Sequence, residues 1–264
     1  MIDRLHVHLP FRFVDRYLPF ILGHRLQPEV AFLADDLDRP IDSSLQQLAH
    51  ALSGAGLSTI VHAPFMDLNP GALDPLVRDV SLFRYQQTLD VAATLGASLV
   101  VFHPGYDRWR YAGQRRLWIE QSLKFWPPLL KRAEQLKIRM ALENIFEEEP
   151  TSLVDLVSEV DSDWLGHCFD TGHWNLFGKI ALTEWLTALG PRLFHLHLHD
   201  NFGDRDAHLP IGEGEIDFPL LFDWLSRYPG HPTLTLEAHS PELLLRSLSA
   251  AVDLISGGTP KRQP

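Results

Sequence analysis

Eight short β-rich runs alternate with longer stretches of helical apolar spacing, and six successive runs end in a side chain able to bind a metal. Strands that alternate with helices cross over to parallel neighbours, so this order predicts an α/β protein. Closing eight such strands gives a single (β/α)8 TIM barrel, a size that suits the 264-residue chain. The competing arrangement is an open doubly wound sheet. No glycine-rich phosphate loop follows the first strand, which weakens the dinucleotide-binding form of that fold.

The first strand is expected at residues 5–9, and 29–34 reads as a weaker second. Between them, 10–28 holds three prolines and one glycine, so the first crossover is expected to be irregular. Residues 58–62 (S-T-I-V-H) give the third strand and 98–103 (S-L-V-V-F-H) the fourth and clearest. Strands at 138–143, 166–170, 193–199 and 233–237 complete the eight. Helical periodicity covers 43–53, 77–95, 115–136, 152–160, 183–189, 218–227 and 241–255. Ser240-Pro241-Glu242 supplies an N-cap, a proline at the first helical position and an acid in the first turn. Ser152 followed by Asp155 reads as a capping box, and Pro127-Pro128 should kink or split the helix at 115–136. No composition shift marks a second domain. The barrel is assigned to 1–256, and the polar, Gly/Pro-rich 257–264 to a disordered tail.

Composition narrows the function. The formal charge of −11 disfavours a phosphate backbone, which needs a basic surface, so nucleic acid is not the expected partner. No apolar run reaches the roughly 18 residues that span a bilayer. The N-terminus, M-I-D-R-L-H-V-H, lacks a signal-peptide core and reads directly as a strand, so the mature chain is expected to begin there. Cys168 is the one cysteine, which excludes an intramolecular disulfide and makes the cytoplasm the default location. Seven tryptophans and several apolar loop residues leave room for a homodimer.

The polar residues fall at one point of the strand–helix cycle. Strand three ends in His62, strand four in His103, strand five in Glu143-Asn144, and strand six in Asp170-Thr171-Gly172-His173. Strand seven carries His195, His197 and His199; Asp206-Ala207-His208 follows, and strand eight ends in Glu237. In a barrel these ends converge on one mouth. Acids and imidazoles gathered there would repel or remain desolvated unless a cation joined them. Any one of these residues alone is better explained as a hydrogen-bonded or salt-bridged structural residue; the set points to a divalent metal, with mixed ligands that suit zinc or manganese. Residues i and i+2 share a face, so Cys168 points the way Asp170 does and is expected as a core thiol below the site. His195, His197 and His199 also share a face, and spacing does not choose among them. His6 and His8 are expected in hydrogen-bonding or substrate roles.

These motifs resemble the xylose isomerase-like TIM-barrel superfamily, which includes sugar isomerases and epimerases and the endonuclease IV group (AP endonuclease family 2). The matching segments are V-H-A-P-F, V-F-H-P-G, A-L-E-N, F-D-T-G-H, H-L-H-D-N, D-A-H-L-P-I-G-E-G and T-L-E-A-H, spread over residues 58–240. The resemblance implies an inner metal held by Glu143, Asp170, His197 and Glu237, the H-L-x-D register selecting His197. From the endonuclease IV pattern it implies up to two further ions on His62, His103, His173, Asp206 and His208, with Glu143 bridging.

The resemblance leaves two chemistries. One is a metal-dependent isomerase or epimerase of a small carbohydrate-like substrate, a sugar or sugar phosphate, in which the ion stabilises an enediolate. Glu143 and Glu237 would then move protons on its two faces. His173 and Arg205 would hold hydroxyl groups, and Phe65, Trp109 and Trp174 would wall the pocket; loop packing is the alternative for the aromatics. The other is phosphoester hydrolysis by a multi-metal cluster, with a small phosphoester favoured over DNA because 34–38 (A-D-D-L-D) is acidic and lysine is scarce. A polyol dehydratase and a non-catalytic metal-binding barrel are lesser alternatives. The sequence favours the isomerase or epimerase on charge alone.

Overall fold

The computed structural model describes residues 1–38 and 43–258. Its eight strands form a closed, all-parallel barrel in sequence order. They are β1 (Leu5–Pro10), β2 (Gln27–Ala31), β3 (Ile60–His62), β4 (Leu99–Phe102), β5 (Arg139–Glu143), β6 (Leu165–Asp170), β7 (Leu193–Leu198) and β8 (Thr233–Leu236). Around them lie α1 (Val14–His24), α2 (Ser43–Gly54), α3 (Pro75–Leu95), α4 (Arg115–Leu136), α5 (Thr151–Val160), α6 (Thr171–Phe177), α7 (Leu182–Leu189), α8 (Phe218–Arg227) and α9 (Pro241–Ile255). The expected tail falls mainly on 259–264, outside the described residues.

The first crossover enters through a 3-10 turn at Phe11–Phe13, continues as α1 with Pro19 inside it, and ends on Arg25 at φ 53°. The structure departs from the local reading at three points. The capping box at Ser152 does not form: α5 begins after Pro150 without a side-chain cap, and the Ser152 hydroxyl is buried without a partner. Pro127 and Pro128 do not split α4, which runs unbroken for 22 residues with Trp118, Ile119, Phe125, Trp126 and Leu129 buried along it. Burying each such side chain contributes about 1.5–3 kcal/mol, which outweighs the missing backbone donors. α6 has no apolar periodicity and was not expected. The Asp170 side chain starts it by accepting from the His173 backbone N–H at 2.7 Å.

Alternation along each strand places one residue set inside the barrel. The register aligns His62 with Val101, Glu143 with Cys168, Asp170 with His197 and His197 with Thr235. Ile60, Leu99, Val101, Ala141 and Cys168 form a small apolar cluster with Phe194 packed against it. The larger core lies between strands and helices and includes Tyr85, Phe102, Trp118, Trp126, Phe169, Trp185 and Phe218. Cys168 thus sits in the apolar layer beneath Asp170, as parity requires.

Candidate metal centre

Glu143 and Asp170 are the last residues of β5 and β6, His197 lies near the end of β7, and Glu237 follows β8 directly. The His197 Nδ1 atom is 3.5 Å from Glu143 Oε1, 3.6 Å from Asp170 Oδ2 and 3.5 Å from Glu237 Oε1. That nitrogen is buried and makes no hydrogen bond. The choice among three histidines, open in the residue spacing, is made by height. His195 meets Glu29 and Thr233, whereas His199 meets Asp170 and Asp206.

Glu143 divides its two oxygens. While Oε1 faces His197, Oε2 lies 3.1 Å from His62 Nε2 and 3.2 Å from His103 Nε2. His62 Nδ1 donates to the Ala63 carbonyl at 2.8 Å, which leaves Nε2 free to act as a ligand. A third group forms at the rim. His173 Nδ1 donates to the Asn144 carbonyl at 3.0 Å, and its Nε2 lies 3.7 Å from Asp206 Oδ2. His208 Nε2 meets the same Asp206 oxygen at 3.1 Å.

Irregular backbone delivers that last pair. The Asp200 carboxylate accepts the backbone N–H groups of Asn201, Gly212, Gly214 and Ile216 and folds the loop over itself. A Cβ on Gly214 would lie 2.4 Å from Asp200 Oδ1, so this loop needs glycine there. Asn144 fixes the β5–β6 edge, accepting from the Asp170 N–H at 2.8 Å and donating to the Asp170 carbonyl at 3.0 Å.

The donor set fits divalent cations. Among the described residues five groups place their donor atoms within 4.8 Å of one another: Glu143, Asp170 and His197; His62, His103 and Glu143; His199, His208 and Glu237; Glu29, His62 and His197; and Cys168, His195 and His197. Imidazole and carboxylate ligands suit zinc or manganese. A buried, unpartnered nitrogen among three carboxylates is what a ligand lacking its ion would present. Cys168 also lies near His195 and His197, but burial pushes its thiol strongly up, and a neutral thiol is a poor ligand.

Without an ion, protons balance the charges. Burial alone would raise the Glu143 carboxyl, but His197 and His103 outweigh it and hold it well below its usual range. Asp170 behaves likewise, with His173 and His199 opposing its burial, and so does Glu237, with His197 and His8. Burial lowers His173 and His197, yet Asp170 for the first, and the Glu29, Glu237 and Glu143 carboxylates for the second, lift each well above the ordinary histidine value. Glu143 lifts His62 and Asp206 lifts His208 against the same burial penalty. Burial wins at His103.

The centre opens into a cleft of about 1320 Å³. Phe65 and Arg205 line it, and the Phe65 ring stacks on His103 at 4.2 Å. Trp109 and Trp174 do not line it. Trp109 is 80% exposed beside Arg108, and Trp174 bonds the Ile180 carbonyl and packs against Phe169. Trp174 answers to core packing, while Trp109 stands in solvent with the Arg108 guanidinium over its ring. His8, placed in a substrate or hydrogen-bonding role by the sequence, lines the cleft 3.5 Å from Glu237.

Two residues take on contacts that the sequence did not assign. Glu29 on β2 is fully buried and accepts from both His195 and His197. A lone acid inside a hydrophobic strand was its only signal. His199 puts Nε2 3.1 Å from both Asp170 oxygens and stacks on His208 at 4.0 Å. Its parity with His197 was visible, but not its contacts.

The family described as xylose isomerase-like TIM barrel matches residues 27–254. A probable endonuclease 4 of Mycobacterium leprae is 30% identical over 190 residues, 67% of this chain and 72% of that protein. An uncharacterised protein of Methanocaldococcus jannaschii is 35% identical over 185 residues, 67% of this chain but only 63% of that protein. A Thermus thermophilus protein soaked with zinc chloride superposes with a TM-score of 0.81 at 29% identity, covering 97% of this chain and 99% of that one. A D-tagatose 3-epimerase-like protein shares the fold, with a TM-score of 0.82 at 24% identity over 96% of this chain and 97% of that one.

Proposed function

The chain belongs to the xylose isomerase-like TIM-barrel family, and on that footing we propose that it is a multi-metal phosphoester hydrolase for a small substrate. One observation carries this reading over the isomerase favoured by charge alone. The Glu143 carboxylate is shared, one oxygen toward His197 and the other toward the His62–His103 pair. A one-metal isomerase has no need of two imidazoles aimed at the far oxygen of its ligand. A bridging carboxylate with ligands on both sides is what a multinuclear site requires.

Glu143, Asp170, His197 and Glu237 would hold the inner ion, His62 and His103 a second through Glu143, and His173, Asp206 and His208 a third. Zinc is the first candidate, from the zinc-soaked relative, and manganese the second. Bound ions would acidify water and offset charge building on the phosphoryl oxygens. The chain's own groups prepare the site. The Ala63 and Asn144 carbonyls fix the tautomers of His62 and His173, so each presents Nε2. Arg205 offers a cation at the cleft wall for a phosphate oxygen, and Phe65 covers His103 from water. Hydrolysis adds water across the ester P–O bond and releases an alcohol. Acids at Asp36, Asp67, Asp74, Asp107 and Asp204 line the cleft and oppose a polyanionic DNA strand. No helix among the described residues is long and apolar enough to cross a membrane. We place the protein in the cytoplasm on its single, buried cysteine.

The isomerase or epimerase reading is retained for one reason. Glu143 and Glu237 each lie 3.5 Å from His197 Nδ1, a carboxylate pair able to trade a carbon-bound proton across a substrate. In that case His173 and Arg205 would hold its hydroxyls.

Metal analysis with anomalous scattering, followed by parallel phosphoester and ketose screens, separates the two. More than one ion per chain with phosphoester turnover is expected. A single inner ion with ketose epimerisation would overturn the hydrolase.

A further inference from the structure

Glu29 sits in β2, far along the chain from every residue of the metal centre, and is fully buried. Isolated in an apolar interior, an ionised carboxylate costs several kcal/mol. Here three donors surround it. His195 Nε2 lies 2.9 Å from Oε2, His197 Nε2 lies 3.0 Å from Oε1, and Thr235 Oγ1 donates to Oε2. His195 is held in turn by Thr233 Oγ1 at 2.6 Å from its Nδ1. Among the described residues no arginine or lysine pairs with Glu29: its partners come from β7 and β8 across the barrel.

The consequence falls on His197. Its two ring nitrogens face opposite ways, Nε2 toward Glu29 and the unpartnered Nδ1 toward Glu143, Asp170 and Glu237. A proton on Nε2 leaves the lone pair on Nδ1, where the carboxylates gather. Metal-ligating histidines commonly donate their second nitrogen to a carboxylate, which fixes ring angle and tautomer and strengthens the ligand. We infer that Glu29 is a positioning residue that locks His197 with its Nδ1 lone pair directed at the inner metal, braced by His195 and Thr235. This rests on the metal-centre reading and is independent of the reaction catalysed.

Cadmium tests it without turnover. In ¹¹³Cd-loaded, ¹⁵N-labelled wild-type protein, scalar coupling from cadmium to His197 should appear at Nδ1, with a slowly exchanging proton on Nε2. Coupling at Nε2 would overturn the inference while leaving the metal centre intact. A wild-type chain that binds no cadmium at His197 would sink the metal reading and this one together. In Glu29→Gln, cadmium affinity by chelator competition should fall roughly 10–100-fold. Thr235→Val, which leaves the Glu29–His197 bond in place, should weaken it less. Unchanged affinity in a folded Glu29→Gln protein would also overturn the inference. Should Glu29→Gln fail to fold, the wild-type coupling decides alone.

Discussion

Replacing Glu143 with Gln removes one charge from a site where four imidazoles face it, three of them (His62, His173 and His197) with raised values. His62 and His103 Nε2 and His173 Nδ1 lie within 3.1–3.2 Å of its oxygens, and His197 Nδ1 at 3.5 Å. Coulomb's law at an effective dielectric of about 20 gives roughly 5 kcal/mol for one such pair at that distance. Four such terms do not add, because imidazoles that lose their counter-charge release protons instead. The measured cost of stranding one partner of a buried pair, about 3–5 kcal/mol, is the better guide. At about 2–4 °C per kcal/mol for a chain near this size, the metal-free variant should melt roughly 6–20 °C lower near pH 6. The deficit should shrink at pH 9, where the imidazoles are more nearly neutral. Loading suffers more, since the carboxylate serves two ion positions. The count of bound ions should fall and turnover drop below about 1% of wild type. Calorimetry with chelator, metal analysis and a turnover assay read these quantities on one preparation. A Glu143→Gln protein with wild-type melting, full metal content and normal turnover would refute the bridging role.

The pH dependence of stability should change with metal. His62, His173, His197 and His208 have raised values, so their stabilisation is full below about 6.5 and is lost as pH climbs through the raised values. Glu143, Asp170 and Glu237 have depressed values, so theirs is full above about 4.5 and is lost as pH falls through the lowered values. Chelated protein should therefore soften on the alkaline side, while zinc-loaded protein gains there because ions displace the same protons; parallel melting curves would contradict this. In Gly172→Ala the new Cβ would fall 1.9 Å from His199 Cε1, so the ring must move off Asp170. Urea titration should show a loss of about 1–3 kcal/mol, with weaker metal retention, and wild-type retention would argue that His199 is idle. Cys168→Ala should cost about 1–2 kcal/mol and keep every ion; loss of one equivalent would bring the thiol into the site.

The barrel, and the gathering of the candidate site residues at its mouth, were legible in the sequence because both depend on local periodicity. Strand β4 announces itself by a β-branched, apolar run and β5 by an apolar one, and the chemistry follows at the point where each strand gives way to a loop. Strand ends in a parallel barrel all face one way, so position in the cycle stood in for position in space. What the tertiary structure alone decided is how the atoms are shared. Glu143 belongs to two groups because β3 and β4 bring His62 and His103 against one of its oxygens while β7 brings His197 toward the other. Glu29 reaches His197 across the barrel interior from a separation of 168 residues, beyond any window of sequence pattern. Trp174, for which the sequence left pocket wall and packing open, and Ser152 were settled by the same distant contacts. Packing, which sums over distant neighbours, assigned the first to the core and left the second without a cap to make. Residue types along the strands determined which chemistry could gather at the mouth; the closure of the sheet determined which nitrogen of each histidine, and which oxygen of each acid, would face it.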